Sequence, residues 1–264
     1  MDAWLVSLFA AAILAAIVAF FYSNLGLGGG QLYVPIMDLF FVSLMMKDIV
    51  PISLCLAFAT MASAAYSHSR KGLVDFKLGA FLAAGGLVGV GGGALFTIGA
   101  ADQAVKVAFA AMLVTVATKM LYDLQKARKD YTTCPTTFSI RCRLAGLGVS
   151  ILTGFLIGSF GVGGGVVSVP LIIYVFKFEP RRAIGTSAFV GSLLTPAAFA
   201  VYLLNESVTI DFDIVAVLAP VVFVFALLGS RWGLAKLKTK MVKTIFTCGL
   251  YLAAAEMIYS LLLQ

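Results

Sequence analysis

Residues 26–35 read GLGGGQLYVP and residues 161–170 read GVGGGVVSVP. Each stretch packs four glycines into five residues inside otherwise apolar sequence, and glycine is the weakest helix former after proline. Backbone that leaves the helix in an apolar medium carries N–H and C=O groups that are costly unless protein, water or a ligand satisfies them. A helix that resumes after each break, at Gln31 and at Val166, turns its free N–H groups and positive dipole end toward the gap. Glycine lets a ligand come close to that backbone, so the pattern predicts an anion site made without any buried cationic side chain. Gly26, Gly28, Gly29, Gly30, Gln31, Gly161, Gly163, Gly164, Gly165 and Val166 are the candidate binding residues.

Other polar groups lie near in sequence. Asn24 and Ser159 each precede a motif by two residues, and Ser53 (VPISLCLAFAT, 50–60) aligns with Ser187 next to Thr186 (IGTSAFVGSLLTP, 184–196). Their side chains could donate to an oxyanion, and back-bonding to a helix carbonyl is the competing use. Asp38, Lys119 and Glu256 fall inside apolar segments, where an ionisable group is a functional candidate. Asp38 is the candidate for coupling to a proton or sodium ion, against the alternative that it faces an outer vestibule. Lys119 and Glu256 are expected to reach the interface from helix ends, and His68, in SHSRKG, reads as a solvated loop residue. GGLVGVGGG at 85–93 spaces Gly85, Gly89 and Gly93 for helix packing.

These groups must be held by elements that cross a membrane. The chain is 61% hydrophobic and 12% charged, with mean hydropathy +1.04, which excludes a soluble domain. Its apolar runs are continuous and of helix-spanning length, which excludes a β-barrel. The first 22 residues carry no Lys or Arg and read as a retained span. Four cysteines without metal or redox spacing predict no metal site. No nucleophile, base and orienting group fall together, and no cofactor motif has its strand context, so neither an enzyme nor a cofactor is expected. The net charge of +7 is assigned to loops on one membrane face, not to nucleic-acid binding.

The second half repeats the first. Gly26, Gly28, Gly29, Gly30 and Pro35 recur 135 positions later as Gly161, Gly163, Gly164, Gly165 and Pro170, and Asp75-Phe76 recurs as Asp211-Phe212. Residues 1–123 form one membrane repeat, 124–143 a linker and 144–264 the second repeat. Counting each glycine stretch as the tip of a hairpin gives segments at 3–23, 31–46, 49–67, 77–97 and 104–123, then 144–160, 166–177, 183–204, 213–232 and 241–263. One face then receives Arg70, Lys71, Lys77, Lys126, Arg128, Lys129, Arg141, Arg143, Lys177, Arg181, Arg182, Arg231, Lys236, Lys238, Lys240 and Lys243, sixteen of the nineteen basic residues. Lys47 and Lys106 stay on the other face. Counting the glycine stretches as helix divides the basic residues evenly, so the positive-inside rule selects hairpins. The expected fold is an all-α integral membrane protein of two inverted repeats, each a broken-helix, re-entrant hairpin plus three transmembrane helices. Both termini lie outside the cytoplasmic (inner) membrane, and the linker lies in the cytoplasm.

The sequence resembles the TauE/SafE family, the sulfite exporter and toluene-sulfonate uptake permease group. The resemblance rests on G-x-G-G-G followed by V-P in both halves, AIGTS at 183–187 and RKGLVDF at 70–76, and it covers essentially the whole chain. It implies a permease for small sulfur-containing or organic anions such as sulfite and sulfonates. The expected function is therefore a secondary transporter of a small anion working by alternating access. An anion-binding sensor or assembly component and a channel-like pore are the alternatives. Its partners are the anion, the lipid bilayer and a coupling proton or sodium ion, and the residues leave the oligomeric state open.

Overall fold

A computed structural model describes residues 2–125, 140–232 and 239–262. Among these residues the fold is wholly helical: α1 (Asp2–Tyr22), a single 3-10 turn (Ser23–Leu25), α2 (Gly30–Phe40), α3 (Met46–Ser69), α4 (Phe76–Gly99), α5 (Asp102–Gln125), α6 (Ile140–Phe160), α7 (Gly165–Phe176), α8 (Pro180–Leu203), α9 (Phe212–Trp232) and α10 (Thr239–Leu262). Five stretches within them, Trp4–Leu25, Met46–Ser69, Phe76–Gly99, Pro180–Leu203 and Phe212–Arg231, are long and apolar enough to cross a bilayer. Outward faces carry large apolar side chains such as Phe9, Ile13, Val88 and Leu252, as a lipid solvent requires. Most of the linker at 124–143 lies outside the described residues.

Local chemistry sets several helix starts. The Asp75 carboxylate accepts the Leu78 N–H at 3.0 Å and caps α4. Pro180 occupies the first position of α8, where its missing N–H leaves nothing unpaired. Pro35 and Pro170 lie inside α2 and α7, so neither can bond back to the carbonyl four residues earlier, that of Gln31 and of Val166.

Several of the larger helix contacts are preserved when the two halves are exchanged, although α2 packs on α10 without a comparable contact of α7 with α5. α4 packs on α6 as α9 packs on α1, α3 on α9 as α8 on α4, and α2 on α3 as α7 on α8; α3 meets α8 and α5 meets α10 across the same relation. The closest pair is α4 with α6. A Cβ added at Gly89 would lie 2.0 Å from the Ile151 carbonyl oxygen, and one at Gly154 would lie 1.9 Å from that of Gly86. The glycines at 85–93 thus let two backbones touch.

Three expectations are corrected. First, α2 stops at Phe40 and does not run to residue 46. Phe41 leaves helical geometry (φ −126°, ψ 60°), a turn closes from Leu44 N–H to the Phe41 carbonyl, and α3 begins at Met46. Hydropathy is uniform through FFVSLMM, and a distant side chain, Asp102 of α5, accepts the Met46 N–H at 2.6 Å where α3 begins. Second, His68 is not solvated but 1% exposed, because α3 continues through it. Its Nδ1 lies 2.7 Å from the Ala64 carbonyl, and the neighbouring Ser67 hydroxyl is hydrogen-bonded to Ser230 of α9. Third, Lys106 is not a loop charge. It sits in α5, 1% exposed, paired with Asp38.

Candidate anion site at the glycine breaks

Each break turns the chain with three left-handed glycines: Gly26, Gly28 and Gly29 at φ 59°, 79° and 80°, and Gly161, Gly163 and Gly164 at 64°, 72° and 82°. Side chains rarely tolerate that region, so the glycines are demanded by the turn itself. Gly29 and Gly164 are the N-caps of α2 and α7, which start at Gly30 and Gly165, one residue before the expected Gln31 and Val166.

The two breaks lie against each other, and the contact is reciprocal. A Cβ at Gly30 would stand 1.7 Å from the Gly161 carbonyl oxygen, and one at Gly165 would stand 2.0 Å from that of Gly26. A Cβ at Gly28 would stand 2.8 Å from the Gly163 Cα, and one at Gly163 would stand 2.8 Å from the Gly28 Cα. A glycine hydrogen therefore points at a carbonyl across the contact, a weak attraction, and no methyl group fits at these positions.

The polar groups around the breaks are unevenly satisfied. At the end of α6, the carbonyls of Gly158, Ser159 and Gly161 accept hydroxyl donors from Tyr202 (2.7 Å), Thr97 (2.7 Å) and Ser53 (3.0 Å). At the end of α1, the Phe20 carbonyl accepts from Ser23 Oγ and Asn24 Nδ2. The amide side differs. The Leu32 and Tyr33 N–H groups bond the Gly29 carbonyl, and those of Val167 and Ser168 bond the Gly164 carbonyl. Among the described residues, no bond outside the helices engages the N–H groups of Gly30, Gln31, Gly165 or Val166. Hydroxyl donors from other helices cover the last carbonyls of α6, while the first amides of α2 and α7 meet no such partner among the described residues.

The candidate side chains divide. Gly26, Gly28 and Gly30 meet Gly165, Gly163 and Gly161 across the contact, while Gly29 faces Tyr33 and Gly164 faces Ile157 within their own halves. Ser53 reaches across to the opposite break, and Asn24, with Oδ1 buried and unbonded, lies at the first. Gln31 is fully buried beside the Tyr22 hydroxyl, and Val166 is buried in the first turn of α7. Ser159 bonds back to the Phe155 carbonyl at 2.7 Å. Ser187 is hydrogen-bonded to Ser168, whose hydroxyl also reaches the Gly164 carbonyl at 2.8 Å. Thr186 stands apart from the breaks and accepts the Asp75 N–H at 3.0 Å, near the Asp75–Arg182 ion pair. Asp38 belongs to a separate charged cluster at the far end of α2.

Sequence reading missed Tyr33 and Ser168, although they occupy the same register of the two motifs. The Tyr33 ring lies where a Gly29 side chain would be, and its hydroxyl is 2.8 Å from that of Thr60. It also missed Thr153, whose buried, unbonded hydroxyl lines a cavity of about 10 Å³ with Ser168, Ile172 and Val190, room for about one water. The signal was present: a polar residue three positions past the last glycine in each motif.

The described residues, wholly helical with five candidate spans and two helix breaks in contact, have the architecture of an α-helical integral membrane protein. Residues 11–257 match the family described as Sulfite exporter TauE/SafE, and the chain is a member of that family. It is 26% identical over 262 residues to the Bacillus subtilis "Probable membrane transporter protein YunE", covering 90% of this chain and 92% of that one. Proteins of Haemophilus influenzae (28% identical, 69% of this chain and 68% of that one) and Methanocaldococcus jannaschii (25%, 81% and 79%) are also named probable membrane transporter proteins. No solved structure matches the chain.

Proposed function

We propose that the protein is a secondary transporter that carries a small anion, a sulfite, sulfonate or related organosulfur or carboxylate ion, at the paired glycine breaks. The observation that carries this reading is the imbalance at the junction: hydroxyls of Ser53, Thr97 and Tyr202 occupy the carbonyl ends while the amide ends of α2 and α7 are open. Two positive helix ends brought together without a carboxylate between them suit an anion. Because the breaks touch, the anion enters only when they part, which fits alternating access with the described conformation closed. Helices of 11 and 12 residues, roughly 17 and 18 Å at 1.5 Å per residue, are too short to span and favour re-entrant hairpins. Five segments per half and the charge bias of the loops support an inverted repeat with both termini outside and the linker in the cytoplasm.

The test is counterflow of sulfite and of methanesulfonate in proteoliposomes, alongside thermal shifts of the purified protein with the same anions. Saturable flux is expected, with Gly29→Ala and Gly164→Ala each lowering it by about an order of magnitude, through strain at positive φ and contact with the Tyr33 ring and Ile157, in protein shown to be folded by size-exclusion chromatography. Undiminished flux in both variants removes the breaks from the site. Stabilisation by an anion with no flux makes the protein a sensor.

A further inference from the structure

α2 has a second end. Asp38 lies nine residues beyond Gly29, about 13 Å along the helix, and is 3% exposed. Its Oδ1 is 2.9 Å from Lys106 Nζ of α5. Lys106 also lies 3.7 Å from Asp102 Oδ2, one turn earlier on α5, and donates to Ser260 Oγ of α10 at 3.1 Å. Glu256, expected to reach the interface, instead stands one turn before Ser260 and interacts electrostatically with both Asp38 and Lys106. Asp38 Oδ2 and Glu256 Oε2 are buried without a hydrogen-bond partner.

Around this cluster, α3 supplies the Met46 N–H to Asp102 and carries Lys47 and Asp48, the latter engaged by the Thr209 N–H at 2.7 Å. The described side chains of α1 and α6 include one ionisable group, Tyr22, which sits beside Gln31 at the break end. Three carboxyls thus share a single ammonium, and two carboxyl oxygens face protein without a donor. Three carboxylates against one ammonium leave two excess negative charges in a medium of low dielectric, and one bound proton removes one of them.

We propose that Asp38, Lys106 and Glu256 form a proton-binding site that couples proton movement to the anion transport proposed above, on which this inference rests. A proton taken from water by Asp38 breaks its pair with Lys106, whereas one taken by Glu256 removes a carboxylate that repels Asp38 and competes for Lys106, and so tightens the hold of α2 on Lys106. Return of the proton to water reverses the change. The helix that bears the anion's amide donors at one end is held at its other end by a charge that protons can switch.

The experiment compares wild type with Glu256→Gln and Glu256→Asp in proteoliposomes, using methanesulfonate, whose charge is constant across the pH range. In wild type, an imposed gradient is expected to drive accumulation toward about tenfold per pH unit, the limit for one proton per monovalent anion. Glu256→Gln keeps counterflow and loses gradient-driven accumulation, and Glu256→Asp recovers it in part. Gradient-driven accumulation that survives Glu256→Gln, or wild-type counterflow that ignores the gradient, overturns the inference while leaving transport intact. Absence of all counterflow refutes transport instead. The cluster is then judged by infrared titration in detergent: a protonated-carboxyl band that titrates in wild type and is missing in Glu256→Gln supports proton binding, and no such band overturns it.

Discussion

The two breaks share a backbone and differ in side chains. Both use three left-handed glycines, an N-capping glycine and a proline at the same register. Yet the first has Gln31, the Tyr33–Thr60 hydrogen bond and Asp38, while the second has Val166, the Ser168–Ser187 hydrogen bond, the Thr153 cavity and Ile173 where Asp38 would be. Glycine positions are fixed by the left-handed turn and by contact between the halves, where Gly28 fits against its counterpart Gly163 and Gly30 and Gly165 fit against the carbonyls of Gly161 and Gly26. Side chains beside them are free to diverge, so duplication supplies a symmetrical junction and divergence makes its two approaches unequal.

The strongest way to break the shared part is Gly30→Ala or Gly165→Ala. Each new methyl meets a backbone oxygen at 2.0 Å or less, and overpacking against rigid backbone is expected to cost about 3 kcal/mol or more. Loss of folded protein on size-exclusion chromatography should be similar for the two, and a tolerated change at one of them would end the reciprocity. On the unequal part, Asp38→Leu leaves Lys106 buried and short of its nearest partner, at about 3–5 kcal/mol. The double variant Asp38→Leu/Lys106→Met should regain most of the thermal stability, and Ile173→Leu should cost less than about 1.5 kcal/mol. Tyr33→Phe and Ser168→Ala each remove a buried hydroxyl bond and should lower stability by about 1 kcal/mol, read as a thermal shift in detergent. Arg182→Ala breaks a half-exposed pair with Asp75 at 3.6 Å and is expected to change stability by less than about 1 kcal/mol.

What could be read from the sequence follows from which signals are local. Glycine at a fixed register in an apolar run is anomalous wherever it occurs, so the breaks, the repeat and the helix starts at 30 and 165 are visible within a residue. The end of α2 is not, because Phe41–Met45 is as apolar as the helix before it and the first amide of α3, at Met46, bonds Asp102, 56 positions away in the chain. Lys106 resembles an ordinary loop charge until Asp38 is found 2.9 Å from it. Ser53 was marked as a donor, but nothing local tells whether a hydroxyl serves a ligand or the carbonyl of another helix, here that of Gly161.

Pro35 lies between the two ends of α2, four residues beyond the Gln31 carbonyl that it cannot engage. A helix with a missing rung bends there more easily than elsewhere. Held by glycine contact at one end and by the Asp38–Lys106 pair at the other, α2 carries its missing rung at Pro35 between two anchored ends. α7 has the same missing rung at Pro170 but Ile173 in place of Asp38, so the duplicated helix lacks the charged anchor that ties down the far end of α2.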